Sequence, residues 1–302
     1  MVGYTELFFS KKDQGARTPS GLVRQLKEMF LQPGVKFFDP VPHGWSPTNN
    51  TNWDALRDPW KDFNFINPPF DQTGKFFQRA IAQEENCVSF FLVPCRFHTR
   101  YFYKAAPHMK HIYLIKNKIN FVGYKVPLPV AMCVVVFGEK FQPVIQKHKQ
   151  LTQRPQKEMY LYPLDNGSTM EDLIKQCPAK HFEIGNQVSK PLHDVIVKFA
   201  PTKKSFGITM PSRLENKVLF DSIVMNPNVK MVFFNPTMHT NVGKLFNGSV
   251  LALFYGAIPR NKEFLTTLKI PITVIIDVDT THNEEELSSM VTSALSEVFL
   301  SE

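Results

Sequence analysis

Apolar residues first gather at helical spacing in Leu22, Val23, Leu26, Met29 and Phe30, which predicts an amphipathic helix opening near Thr18-Pro19. Thr18 suits its cap and Pro19 its first position, where a missing N–H costs nothing. Val35-Lys36-Phe37-Phe38 reads as a short strand stopped by Asp39-Pro40, and Asn64-Phe65-Ile66 as a second, stopped by Pro68-Pro69. Two successive prolines donate no backbone hydrogen bond, so a sheet ladder ends there. Phe76, Phe77, Ala80 and Ile81 return to helical spacing and predict a helix over 75–82 that covers the sheet. Val88 to Pro94 is a nearly unbroken apolar run, the pattern of a strand buried on both faces. Ile112–Ile115 and Met132–Phe137 read as further strands.

The second half is patterned less clearly. Residues 142–156 are polar and basic, contain Pro143 and Pro155, and read as a linker or a long surface helix. Asp194–Phe199, Val229–Phe234, Ser249–Tyr255 and Ile272–Asp277 read as strands, with turn signals at Asn226-Pro227-Asn228, Asn247-Gly248 and Ile258-Pro259. A closing helix begins at Asn283, with Leu287, Met290, Val291, Ala294, Leu295 and Val298 on one face. The expected organisation is an α/β domain over 1–141, a linker over 142–157 and a mixed α/β domain over 158–302. No repeat relating the two halves is legible, and there is no low-complexity tract.

Charge changes this picture by its distribution. The chain has 302 residues and a net charge of +8. Residues 1–150 hold 20 Lys and Arg against 11 Asp and Glu, while residues 151–302 hold 15 against 16. A basic half beside a near-neutral one is what a polyanion-facing domain shows, although many basic proteins bind no nucleic acid. Cys87, Cys95, Cys133 and Cys177 form no close pairs, which argues against a zinc site or a disulfide framework. The nine histidines lack ligand spacing. No apolar run reaches a membrane-spanning length and no signal-peptide pattern opens the chain, so the expectation is a soluble, intracellular protein.

The chemistry concentrates in Asn67-Pro68-Pro69-Phe70. An Asn side-chain oxygen and a Pro carbonyl can accept both hydrogens of a base amino group. That draws the nitrogen lone pair out of ring conjugation and aims it at an electrophilic methyl. Phe70 offers a flat face for an unstacked base. A Pro-Pro turn with a buried Phe is the plainer alternative. Phe234-Asn235-Pro236-Thr237 resembles this run but lacks the second Pro and the aromatic residue.

Further blocks flank the signature in order: Arg17-Thr18-Pro19-Ser20-Gly21-Leu22-Val23, Phe37-Phe38-Asp39-Pro40, Asp54-Ala55-Leu56 with Trp60, Phe90-Phe91-Leu92-Val93-Pro94-Cys95-Arg96, Lys116–Phe121, and Pro127-Leu128-Pro129 leading into Val134–Gly138. Over roughly residues 15–140 this order resembles the phage-type DNA N6-adenine methyltransferases, which use S-adenosylmethionine. The resemblance implies a Rossmann-like domain in which Asn67, Pro68, Pro69 and Phe70 are catalytic and Thr18, Pro19, Asp39, Pro40 and Asp54 contact the cofactor. It implies double-stranded DNA as partner, with a flipped adenine, and tilts the origin toward a phage or viral genome. In open α/β sheets ligands sit beyond the carboxyl ends of the strands, where Asp39 stands. Many methyltransferases carry a glycine-rich loop here, whereas Asp39–Gly44 holds one Gly. Asp54 is equally a loop or cap carboxylate. Arg96, His98 and Arg100 are candidates for the phosphate backbone or simply surface charge. The segment from Asn120-Phe121 to Pro127-Leu128-Pro129 is a loop able to close over the base.

Two roles stand open for the second half: reading flanking DNA, or binding an assembly partner. Two roles stand open for the whole: an enzyme, or a methyltransferase-shaped scaffold that has lost activity. The same amine-holding geometry also suits cytosine N4 or an RNA substrate.

Overall fold

The computed structural model describes residues 17–42, 53–124, 126–142, 152–161, 180–185, 187–234, 238–240, 243–245, 249–254, 270–275 and 278–282. In chain order the helices are α1 Ser20–Phe30, α2 Thr73–Ile81, α3 Arg100–Ala105, α4 Ser189–Phe199 and α5 Lys217–Leu219, the last continued by a π-helical turn over Phe220–Val224. The strands of the first half are β1 Phe63–Ile66, β2 Val88–Pro94, β3 Met109–Ile115 and β4 Met132–Phe137. Those that follow are β5 Thr152–Leu161, β6 Lys180–Glu183, β7 Phe206–Pro211, β8 Val229–Phe234, β9 Met238–Thr240, β10 Gly243–Leu245, β11 Ser249–Phe254 and β12 Ile270–Ile275.

Ten strands form one sheet in the order β1-β2-β4-β3-β12-β5-β8-β11-β7-β6, while β9 and β10 pair separately. The sheet is mixed: β1 with β2, β3 with β12, β5 with β8 and β6 with β7 are parallel, and the other neighbours are antiparallel. This α/β architecture is compatible with a Rossmann-like fold in its first half.

Every residue of β2 is buried, because both faces of the sheet are covered there. Leu22, Leu26, Met29 and Phe30 of α1 cover one face, where the Phe30 ring stacks on Phe90 at 5.0 Å and meets Tyr113 at 4.6 Å. On the other face, Phe76, Phe77 and Ala80 of α2 join Phe102 of α3 over Phe91, Val135 and Phe137. That second core is continuous with Ile208, Met231, Phe233, Ala252 and Phe254 of the second half. Gly138 closes β4 at φ +117°, and a Cβ there would stand 2.5 Å from the Cys87 carbonyl oxygen.

Several expectations change. The region 142–157 is not purely a linker, since residues 152–157 belong to β5. Its polar sequence hides a strand because pairing between β12 and β8 stabilises it, not its own apolar face. Pro155 lies where the β5–β12 register shifts, which accommodates its missing N–H. Asp194–Phe199 is part of α4, and Leu192, Val195, Ile196 and Phe199 pack at helical spacing on the shared core. The strand expected over 35–38 shrinks to a single parallel bridge between Phe38 and Asn64. α1 starts at Ser20 with Pro19 in the capping position and no side-chain cap, so Thr18 does not cap it. The closing helix expected from Asn283 lies outside the described residues.

The two sides of the sheet share a pairing pattern that the sequence does not announce. Read inward from either edge of the sheet, the first five pairings follow one pattern: parallel, antiparallel, antiparallel, parallel, antiparallel.

Candidate functional site

Phe38 lies parallel to β1, donating its N–H to the Phe63 carbonyl at 2.8 Å and accepting from the Phe65 N–H at 2.9 Å. Asp39-Pro40 and Asn67–Phe70 therefore both follow paired parallel segments on their carboxyl side, and the Phe38–Asn64 bridge sets Asp39 level with Phe65, two residues before Asn67. The two groups lie 28 positions apart in the sequence, and the bridge puts them on the same side of the sheet.

The turn after β1 has a definite carbonyl arrangement. The Pro69 carbonyl accepts from the Gln72 N–H at 2.9 Å, and the Phe70 carbonyl accepts from the Thr73 hydroxyl at 3.1 Å. Both bonds tie the turn to the start of α2. The Pro68 carbonyl accepts no hydrogen bond from any described residue, and Pro68 itself is buried. Asn67 and Phe70 are half-buried, and Phe70 rests against the α1-side core, so packing uses part of its ring surface.

Asp39 accepts from the Val41 N–H at 2.9 Å through Oδ1. Crowding by neighbouring atoms raises its carboxyl pKa, and the Val41 amide opposes the rise. The residue nevertheless stays exposed, and exposed surface is the direct measure of what a ligand can touch. The Pro40 carbonyl is taken by the Trp53 indole N–H at 3.1 Å, and the Trp53 ring meets Phe38 edge-on. Asp54 serves the loop: its Oδ1 accepts from the Leu56 N–H at 3.0 Å, and its carbonyl accepts from the Arg57 and Asp58 amides. That is the capping role open to it in the sequence.

Thr18 and Pro19 lie at the start of α1, next to the bridge in which the Val122 N–H bonds the Arg17 carbonyl. The Gly21 N–H there is not open, because the Thr281 carbonyl accepts it at 3.0 Å. A Cβ at Gly21 would run into the Asp279 carboxylate. Loop residues Ile119, Phe121 and Leu128 are buried in the α1-side core, with the Leu128 N–H on the Ile119 carbonyl, so that part of the loop is packed down.

The expected basic trio divides. Burial, assisted by the Arg96 charge, lowers the His98 pKa to about 4, so His98 is neutral near pH 7 and is not a cation for phosphate. Arg100 lines a groove of about 760 Å³ between α2 and α3 together with Lys75, Lys104, Asp71, Gln78 and Tyr101. Lys75, Arg100 and Lys104 form no ion pair among the described residues. Arg96 is half-buried at the end of β2.

Two further groups emerge from packing. The Gln72 Oε1 and Asn120 Oδ1 atoms are buried without a partner among the described residues. Each is an acceptor whose burial carries a cost that a ligand N–H would relieve. Gln72 follows the signature directly, but no spacing marks it out in the sequence. Phe234-Asn235-Pro236-Thr237 follows β8, the counterpart of β3 rather than of β1, and its last three residues lie outside the described ones.

Among the described residues no group of three His, Cys, Asp or Glu side chains converges as a metal site, and no helix is long and apolar enough to cross a membrane. No family model matches the chain, and no curated protein or solved structure is significantly similar to it.

Proposed function

We propose that the protein is an S-adenosylmethionine-dependent DNA adenine-N6 methyltransferase. One observation carries the reading: Asp39 and the Asn67–Phe70 turn share a sheet edge at which the Pro68 carbonyl accepts no hydrogen bond from a described residue. Asn67 and that carbonyl accept the two hydrogens of the target amine, and Phe70 covers the ring of a base turned out of its stack. The chain's contribution is orientation and electrostatic placement, so no side chain needs to act as a strong base. S-adenosylmethionine, when bound, supplies the electrophilic methyl group. Asp39 fits the cofactor's ammonium or ribose hydroxyls, since its carboxylate is exposed and spends one oxygen on Val41. The start of α1 fits less well, because the Gly21 amide is already bonded.

That closed amide favours a second reading, a scaffold of methyltransferase shape without activity. Calorimetry with S-adenosylmethionine, using wild type, Asp39→Ala and Asn67→Ala, separates the two. The enzyme reading expects binding in wild type and in Asn67→Ala, loss of binding in Asp39→Ala, and methyl transfer to DNA that is strongly reduced in Asn67→Ala and lost in Asp39→Ala. A folded wild-type protein that binds no S-adenosylmethionine leaves the scaffold reading.

A further inference from the structure

We infer that the chain is two copies of one α/β unit, each completed by the other's fifth strand, and that the second copy has kept the frame while losing the amine-holding turn. The sheet order supplies the first argument. From one edge inward run β1, β2, β4, β3 and β12; from the other run β6, β7, β11, β8 and β5. β12 comes from the second half of the chain yet pairs parallel with β3, and β5 follows the first half yet pairs parallel with β8.

The correspondence holds residue by residue. Pro94 faces Met132 and Ser89 faces Phe137 between β2 and β4; Pro211 faces Ser249 and Phe206 faces Phe254 between β7 and β11. With that alignment, Ile112 opposite Val135 becomes Met231 opposite Ala252. Ile272 beside Ile112 likewise becomes Met159 beside Met231. The central pair closes the relation. Ile270 faces Met159 and Ile272 faces Lys157, on either side of Pro271 facing Glu158, so exchanging the units maps the β5–β12 pairing onto itself. A local two-fold axis through that pair is the arrangement expected of an isologous contact between two like units.

Irregular backbone repeats as well, where sheet geometry imposes nothing. Val93-Pro94-Cys95-Arg96-Phe97 corresponds to Met210-Pro211-Ser212-Arg213-Leu214. The Arg96 N–H bonds the Pro94 carbonyl at 2.7 Å and the Arg213 N–H bonds the Pro211 carbonyl at 2.8 Å. The Thr99 and Asn216 amides then bond the Arg96 and Arg213 carbonyls, each at 2.9 Å, and the Tyr103 and Phe220 amides bond the carbonyls of Thr99 and Asn216. Thr99 and Asn216 are also the capping residues of α3 and α5.

At the site the copies part. In the same alignment Asn67-Pro68-Pro69-Phe70 corresponds to Glu183-Ile184-Gly185-Asn186. Pro68 ends the ladder because it has no N–H, whereas the Ile184 N–H extends it to the Thr209 carbonyl at 2.8 Å. The second unit's ladder thus runs one hydrogen bond further at the position where the first unit turns. Its service to the first unit is structural. β12 finishes the first unit's sheet, and the segment after it docks on α1 through Thr281 on Gly21, Arg24 with Asp279 at 2.8 Å, and the Asp279 N–H on Gln25 at 2.9 Å.

The inference stands whether or not the protein transfers methyl groups, and its test does not use activity. In the full-length chain, the Glu158→Cys/Pro271→Cys variant places two thiols directly opposite each other, within the Cα separation a disulfide spans. Oxidation is expected to give one intramolecular disulfide, absent from either single variant. A second full-length variant carries a site-specific protease site inserted within residues 143–151. After cleavage the two pieces are expected to elute together on size exclusion and to part only in denaturant. A folded double variant whose introduced thiols stay reduced, or pieces that separate under native conditions, would overturn the exchange.

Discussion

At the scale of single residues, Pro68 lacks the N–H that would extend the ladder, and its carbonyl accepts from no described residue, since the strand position that would donate to it is Pro94. Pro68→Ala restores a donor at the position where Ile184 bonds Thr209 in the other unit. The variant is therefore expected to fold, to bind S-adenosylmethionine as wild type does, and to transfer methyl groups more slowly in a single-turnover assay. Asn67→Ala removes one of the two acceptors for the amine. By comparison with the loss of other oriented hydrogen-bonding groups, the expected fall in turnover is on the order of 10²-fold with cofactor affinity kept. A second residue-scale expectation concerns acid. His111 is buried on β3, shares a 2.9 Å hydrogen bond with Thr273 of β12, and burial lowers its pKa to about 4. A histidine whose pKa is lower folded than unfolded costs nothing above about pH 6.5, where both states are neutral. As pH falls through the window from 6.5 to 4, the unfolded chain takes up the proton first, and stability is lost by about 3 kcal/mol for full titration of this one group. Urea unfolding of wild type and His111→Gln at pH 7 and pH 4.5 checks the sign: the variant's stability is expected to depend less on pH.

Helices and strands locate the groups that single residues cannot. The groove between α2 and α3 gathers Lys75, Arg100 and Lys104, which are spread over 30 positions of sequence. If that groove meets a phosphate backbone, replacing each cation by Gln is expected to weaken binding to DNA of any sequence. Each loss of a phosphate contact should reduce the slope of log affinity against log salt by about 0.9. Fluorescence anisotropy over a salt series reads both quantities, and an unchanged slope in the triple variant would remove the groove from the DNA path. Between β4 and the start of β2, Gly138→Ala forces a Cβ against backbone at a φ that disfavours a side chain. A loss of about 1–3 kcal/mol in denaturant midpoint analysis is expected. Legibility at this scale followed burial. β2 was readable to the residue because both its faces are covered, so its apolar run had no polar interruption. α4 was misread because Asp194–Phe199 is β-branched and aromatic, and the shared core overrode that preference.

For the whole molecule, one core cluster runs from Trp60 and Phe91 through Ile272 to Met231 and Phe254, with the Phe97 ring 4.9 Å from Phe233. Two units that share a core and exchange strands cannot melt one at a time. A single calorimetric transition, with equal calorimetric and van't Hoff enthalpies, is expected in place of the two that separate domains would give. By itself the sequence determined the elements whose stability is local: the apolar stripe of α1, the buried run of β2, and the Pro-Pro turn that ends β1. It also determined the chemistry of that turn, since Asn, Pro and Phe carry their donors, acceptors and ring wherever they are placed. Tertiary structure alone decided what depends on distant pairing: that Asp39 and Asn67 leave the sheet on the same side, that Asp54 and the Gly21 amide are already bonded, and that His98 is neutral. It also decided that β5, polar and interrupted by Pro155, is a strand, and that the halves are related. Hydrogen-bonded register between strands far apart in the chain leaves no periodicity in either strand, so it becomes visible only when the strands lie side by side.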